Sequence, residues 1–114
     1  MEKIEFTTSN GVRTVRAKDD KYIMLSYYLA QRSSPKLIER IIAELESVKS
    51  GEKTFQEVFE EPYGIISIGI SAGEFECDKD TAYFISNNPQ IEPSIEMPLT
   101  ELVELLKEWK TFMS

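Results

Sequence analysis

The stretch that decides the fold runs from residue 74 to residue 85 and reads EFECDKDTAYFI. Its apolar residues Phe75 and Cys77 alternate with acidic ones, and a period of two is that of a β-strand with one buried and one solvated face. The polar residues 79–80 form a turn, and the apolar, aromatic run 82–85 supplies a second strand. The stretch therefore predicts two neighbouring strands of a sheet.

Similar patterns lie on both sides of this stretch. Residues 63–71 hold isoleucine at every second position from Ile66 onward, which predicts a strand before it. Ile91, Ile95 and Met97 predict a last short strand that ends before a proline.

The N-terminal residues predict a β-hairpin. Ile4 and Phe6 alternate with polar residues, and Val12 and Val15 sit in a second polar background. Asn10-Gly11 lies between them, and this dipeptide is the one best able to adopt positive φ at both central positions of a type I′ turn.

Residues 22–29 allow two interpretations. Apolar residues recur at period two, and the aromatic content favours a strand. The run is nevertheless apolar on both faces, so a short helix would also bury it. We predict a third strand here.

One helix is predicted over residues 35–50. Ser34 supplies an N-cap hydroxyl, Pro35 fits the first helical position, and Gly51 suits the position after the helix. An amphipathic stripe connects these ends, formed by Leu37, Ile41, Leu45 and Val48. The charged connection 54–61 that follows has room for one or two helical turns.

A second long helix is predicted at the C-terminal end. Its apolar stripe has helical spacing and consists of Leu99, Leu102, Leu106, Trp109 and Met113, joined by Leu105 and Phe112. Trp109 and Phe112 are attractive interface anchors, but this spacing favours core packing. The whole chain, residues 1–114, is therefore predicted to be a single α+β domain with an antiparallel β-meander sheet and two main helices packed on it.

The charge of the chain is strongly asymmetric. The net charge is −7, yet residues 1–50 hold nine basic and seven acidic residues, whereas residues 51–114 hold four basic and thirteen acidic ones. The acidic half would repel phosphate backbones, which disfavours nucleic acid as a partner. A cationic protein is the natural complement, because opposite potentials steer encounter.

Residues for catalysis are scarce. The chain contains no histidine and one cysteine, Cys77, so it lacks the commonest general base and cannot assemble a zinc site from cysteines. Residues 69–73 have the form G-x-S-x-G, but the serine has no histidine to deprotonate it, and a turn after a strand is the favoured interpretation. We expect no catalytic residue, no cofactor and no metal site, and we expect that the chain is not an enzyme.

The acidic residues after position 73 leave three interpretations open. They could coordinate a hard cation, act as an acid–base pair, or form a solvated strand face, and the solvated face is favoured because no EF-hand loop is present. The same solvated strand face can bind a basic partner. We predict a partner-binding site made of carboxylates with aromatic anchors beside them: Glu57, Glu60, Glu61, Glu74, Glu76, Asp78 and Asp80, with Phe55 and Phe59.

The expected compartment is the cytoplasm. Residues 1–6 lack the basic and apolar regions of a secretory signal, and no apolar run approaches the ~20 residues of a membrane span. A lone cysteine fits a reducing environment. We expect no membrane partner.

Three segments together resemble a known group of proteins. These are residues 37–52 with the motif KSGE, residues 63–68, and residues 95–109 with the motif PLTELVELL and a tryptophan. The layout over residues 34–113 is similar to that of small bacterial immunity proteins of contact-dependent and polymorphic toxin systems, and to proteins of the YacL type. The resemblance implies a protein that binds and neutralises a cognate toxin domain, often a nuclease, and it implies no catalytic residue. The alternative is a non-enzymatic adaptor or structural homodimer.

Overall fold

The computed structural model describes residues 3–32, 34–58, 67–68 and 72–114. The strands in these residues are β1 (Ile4–Ser9), β2 (Val12–Ala17), β3 (Ser67–Ile68), β4 (Gly73–Cys77), β5 (Thr81–Ser86) and β6 (Ile95–Pro98). The helices in these residues are α1 (Ile23–Ala30), α2 (Pro35–Lys49), α3 (Phe55–Val58) and α4 (Leu99–Met113). A 3-10 turn, Asp20–Tyr22, leads into α1.

The strands form two separate antiparallel sheets. β1 and β2 pair as a hairpin, and β3-β4-β5-β6 form a four-stranded meander in sequence order. The predicted α+β class with a β-meander and packed helices is therefore confirmed.

Both predicted long helices and the hairpin turn are confirmed. Asn10 and Gly11 have φ of 52° and 80°, as a type I′ turn requires. The Ser34 hydroxyl accepts a hydrogen bond from the Leu37 amide at the start of α2, and Gly51 after its end has φ of 82°.

The core lies between the meander and the hairpin. Phe75 and Phe84 on one face of the meander contact Tyr28 of α1, with ring centroids 4.8 and 5.3 Å apart. On the other side of the helices, Phe6 of the hairpin contacts Trp109 of α4 at 5.0 Å. Helices α1 and α4 therefore contact both sheets. On the remaining face of the meander, Glu74, Glu76, Ile85 and Glu96 are exposed.

The strand predicted for residues 22–29 is wrong, because Ile23–Ala30 form the helix α1. Met24, Leu25, Tyr28 and Leu29 are all fully buried in this helix. A helix that packs between two layers is apolar on nearly every side and loses the polar stripe that reveals a helical period. The described residues thus contain three helices of at least eight residues, where two main helices were predicted.

Two other strand predictions need adjustment. Ile91 was assigned to the last strand, but it lies in the turn before β6, where its amide donates to the Asn88 carbonyl and its side chain is 68% exposed. Of the strand predicted for residues 63–71, only 67–68 belong to the described residues, and these form β3. The rest of that segment, with most of the G-x-S-x-G motif, lies outside them.

Candidate partner-binding surface

The open side of the meander is the outer face, which we define by Ser67, Glu74, Glu76, Tyr83, Ile85 and Glu96. Side chains alternate along each strand, so the neighbours Phe75, Cys77 and Phe84 point into the core while the outer-face residues point away from it. The sequence alternation at residues 74–77 is thus the direct cause of this surface.

The strand register aligns the outer-face residues in rows across the sheet. Glu76 of β4 lies opposite Tyr83 of β5, and Tyr83 lies opposite Glu96 of β6. In the neighbouring row, Glu74 lies opposite Ile85. Carboxylates therefore border the aromatic ring of Tyr83 on both sides.

The turn between β4 and β5 fixes Asp78. Its Oδ1 accepts hydrogen bonds from the backbone amides of Asp80 and Thr81, both at 2.8 Å, and its Oδ2 accepts one from the Tyr83 hydroxyl at 3.1 Å. The two amide donors, followed by the phenol, hold the pKa of Asp78 below its ordinary value. The same phenol–carboxylate bond raises the pKa of Tyr83. Asp78 is therefore a charged, ordered part of the surface that also orients Tyr83.

The acidic excess of the second half is concentrated on this sheet. Residues 72–98 contain six acidic residues and one basic residue, Lys79. In the described part of the chain, no ion pair involves an acidic residue from this segment. Two of the three acidic residues in α4 differ, because Glu101 pairs with Lys3 and Glu104 lies 3.7 Å from Lys107.

Of the predicted site residues, Glu74, Glu76, Asp78 and Asp80 come together at β4 and the turn that follows it, and all four are exposed. Glu57 is exposed on α3, where it forms a capping box with Thr54. Its carboxylate accepts from the Thr54 amide at 3.0 Å, and this bond lowers its pKa.

Phe55 is the other predicted residue on α3, and it is half-buried. Its ring lies 6.2 Å from that of Phe75, on the side of the sheet opposite the outer face. Phe59, Glu60 and Glu61 lie outside the described residues.

Sequence reasoning missed four residues of the outer face: Tyr83, Ile85, Glu96 and Ser67. The alternation within residues 82–85 carried a signal for the first two, since Ala82 and Phe84 are buried and the residues between and after them are not. Glu96 could be placed only by knowing that β6 pairs with β5, which a single sequence does not reveal.

The chemistry available at this surface is electrostatic. Within the described residues, no group of three or more cysteine or acidic side chains has a geometry that could hold a metal ion. Cys77 is buried behind the carboxylates, and desolvation, reinforced by Asp78 and Glu76, raises the pKa of its thiol to about 12. The thiol therefore stays protonated near neutral pH and is a weak nucleophile.

A groove lies beside the end of α4, away from the outer face. It has a volume of about 560 Å³ and is lined by Glu39, Ile42, Lys107, Lys110, Thr111 and Ser114. Its lysines are already paired, Lys110 with Glu39 and Lys107 with Glu46. The groove is therefore nearly charge-balanced, unlike the outer face.

Comparison with known proteins gave no relative: no family model, no curated protein and no solved structure matches the chain. No helix among the described residues combines the length and apolarity that a membrane crossing requires.

Proposed function

We propose that this chain is a non-enzymatic, immunity-type protein that binds a basic toxin domain through the outer face and so neutralises it. The observation that carries the proposal is the concentration of exposed carboxylates on one sheet face, where they form no ion pair within the described residues. We propose the cytoplasm as its compartment, where a toxin domain that acts inside the cell would have to be met.

Electrostatics supports this choice of partner. A toxin domain that handles nucleic acid, such as a nuclease, carries a basic surface to hold phosphates. Exposed carboxylates that form no ion pair in the part of the chain that the structure describes attract such a surface and accelerate the encounter. The resemblance of residues 34–113 to immunity proteins points in the same direction.

Charge also argues against the alternative of a homodimer formed through this face. Two copies that met at their outer faces would bring Glu74, Glu76 and Glu96 of one protomer close to the same residues of the other, and like charges in contact are destabilising. A structural homodimer would have to use a different surface.

The proposal is tested by growth rescue. The product of each gene adjacent to the one encoding this chain is produced in a host cell, alone and together with the chain. We expect one neighbouring product with a basic domain to arrest growth and the chain to restore it. If no neighbouring product arrests growth, or if the chain restores none, the proposal is wrong.

Two charge reversals of equal size locate the surface. Glu74→Lys/Glu76→Lys reverses the outer face, whereas Glu52→Lys/Glu108→Lys reverses two exposed carboxylates elsewhere. With the purified toxin domain at low salt, we expect the first variant to associate at least about tenfold more slowly than the second. Equal rates for both variants would remove the outer face from the site.

A further inference from the structure

We propose that the outer face binds an amphipathic helix of its partner, with an apolar stripe flanked on both sides by lysine or arginine. This inference rests on the proposed function and specifies the structural element that the acidic surface recognises.

The first argument is an apolar strip on the middle strand of the surface. Tyr83 and Ile85 are neighbours on the outer side of β5, with Tyr83 half-buried and Ile85 45% exposed. An exposed isoleucine beside a tyrosine offers apolar area that would remain exposed to solvent if the partner presented only charged groups. The partner must therefore present apolar side chains along the line of β5.

The second argument is the position of the charges on either side of this strip. Glu74 and Glu76 lie on β4 and Glu96 on β6, and β5 runs between these two strands. Two strand spacings place Glu96 about 10 Å from the line of the two β4 carboxylates. A helix with its side chains is about 10–12 Å wide, so cations on its two flanks can reach the β4 carboxylates and Glu96 while its apolar stripe covers β5.

The same geometry disfavours an extended segment as the occupant. Side chains that point to one side of a strand lie along a single line. One bound strand therefore cannot cover β5 and also reach the carboxylates of β4 and Glu96 of β6. A helix lying on a sheet is also the usual way in which an open sheet face is covered.

The third argument is the fixed position of Tyr83. Its hydroxyl donates to Asp78, and two backbone amides hold that carboxylate in place. A ring held before binding loses little rotamer entropy on binding, which favours tyrosine as an anchor. The apolar centre of the surface is thus ordered in the unbound protein.

The experiment uses three synthetic peptides made of the same leucine and lysine residues. β5 spans about 20 Å, so a matching helix needs about 13 residues. One peptide has helical periodicity with lysine on both flanks, one alternates at period two, and one is scrambled. Affinities are measured by titration calorimetry, and the binding site is located by amide chemical shifts of the labelled protein.

We expect the helical peptide to bind at least about tenfold more tightly than the other two. Those peptides have the same net charge but no apolar stripe at helical spacing. Shifts should centre on residues 73–77, 81–86 and 95–98. Equal affinity for all three peptides, or shifts centred on the groove beside α4, would overturn the inference.

Substitutions in the strip test the same point. Tyr83→Ala should lower the affinity for the helical peptide by about tenfold or more, as expected when an aromatic anchor is removed. Ile85→Ser is a second variant that keeps the tyrosine, and Val12→Ser at the hairpin tip is its control, because Val12 is 60% exposed on another surface. We expect Ile85→Ser to weaken binding and Val12→Ser to leave it unchanged, and equal affinity in both variants would contradict the inference.

Growth rescue separates this inference from the function on which it rests. If Glu74→Lys/Glu76→Lys abolishes rescue while Tyr83→Ala and Ile85→Ser retain it fully, the acidic binding function stands and the helix inference fails. If the charge reversal rescues as well as the wild type, the proposed use of the outer face fails first.

Discussion

The two faces of the sheet at β4 and β5 are formed by alternating residues of the same two strands, yet they have opposite properties. Phe75 and Phe84 are fully buried under the helices, while Glu74 and Glu76, one position away, are exposed and form no ion pair with any described residue. Stability thus comes from one face, which leaves the other free to carry charges that folding does not require.

The largest effect that this comparison predicts is on the inner face. Phe75→Ala removes a fully buried ring that contacts Tyr28, Phe84 and Phe55, so we expect the free energy of unfolding to fall by about 3–5 kcal/mol. The measurement is urea unfolding. Glu76→Ala on the neighbouring position is the control and should change stability by no more than about 0.5 kcal/mol. Comparable losses in the two variants would contradict the division between the faces.

A smaller loss is expected at Gly73 of β4, which lies close to β5 and to α1. A Cβ on Gly73 would overlap the Ile85 carbonyl oxygen and lie 2.6 Å from the Met24 side chain. Gly73→Ala should therefore force β4 and β5 apart and cost about 1–3 kcal/mol in the same urea measurement.

The flexible Met24 side chain could relieve only part of this contact. Adding Met24→Ala should not restore stability, because the clash with the backbone carbonyl remains and because truncating the fully buried Met24 is itself destabilising. Full stability of Gly73→Ala alone would show that this close approach is not required.

The contrast between the two faces also explains how far sequence could predict the structure. Segments that keep a solvent-exposed side, such as α2, α4 and β4, were predicted because the polar residues on that side reveal the period of the element. α1 was mistaken for a strand because it is buried on nearly every side, so its sequence lacks the polar stripe that would reveal a helical period.

The binding surface was predictable only in part for a related reason. The carboxylates of β4 share one strand and could be grouped from sequence spacing alone. Glu96 and Tyr83 join them through strand pairing, which depends on long-range contacts and not on local pattern. Phe55, predicted as a hydrophobic anchor beside the carboxylates, is half-buried, and its ring lies 6.2 Å from that of Phe75.

Asp78 makes a smaller, pH-dependent contribution at the edge of the outer face. Its pKa is lowered in the folded state by the amides of Asp80 and Thr81, so its contribution is complete above the ordinary carboxyl pKa of about 4 and is lost as the pH falls through the lowered value. Asp78→Ala should therefore lower Tm at pH near 7, and the difference from wild type should vanish at strongly acidic pH.

Asp80→Ala is the control for this measurement, because the Asp80 carboxylate accepts no hydrogen bond within the described part of the chain. Thermal unfolding of both variants across the pH range should separate them. A Tm difference for Asp78→Ala that is constant with pH would show that the charge of Asp78 does not contribute.

The smallest effect on stability is expected for the outer face itself. Glu74→Lys/Glu76→Lys replaces exposed carboxylates that form no ion pair in the described residues, so the free energy of unfolding should change by no more than about 0.5 kcal/mol. Urea unfolding checks this directly. A loss of several times that size would mean that these residues serve the fold and would weaken their use as probes of binding.

Carboxyl footprinting of the chain in complex with its toxin domain tests the central claim most directly. Carbodiimide labelling, followed by mass spectrometry, measures how fast each carboxylate reacts in the free and bound chain. We predict that labelling of Glu74, Glu76 and Glu96 slows on binding, while labelling of Glu52 and Glu108 does not change. Protection of Glu52 or Glu108 with continued labelling of the outer face would contradict the account.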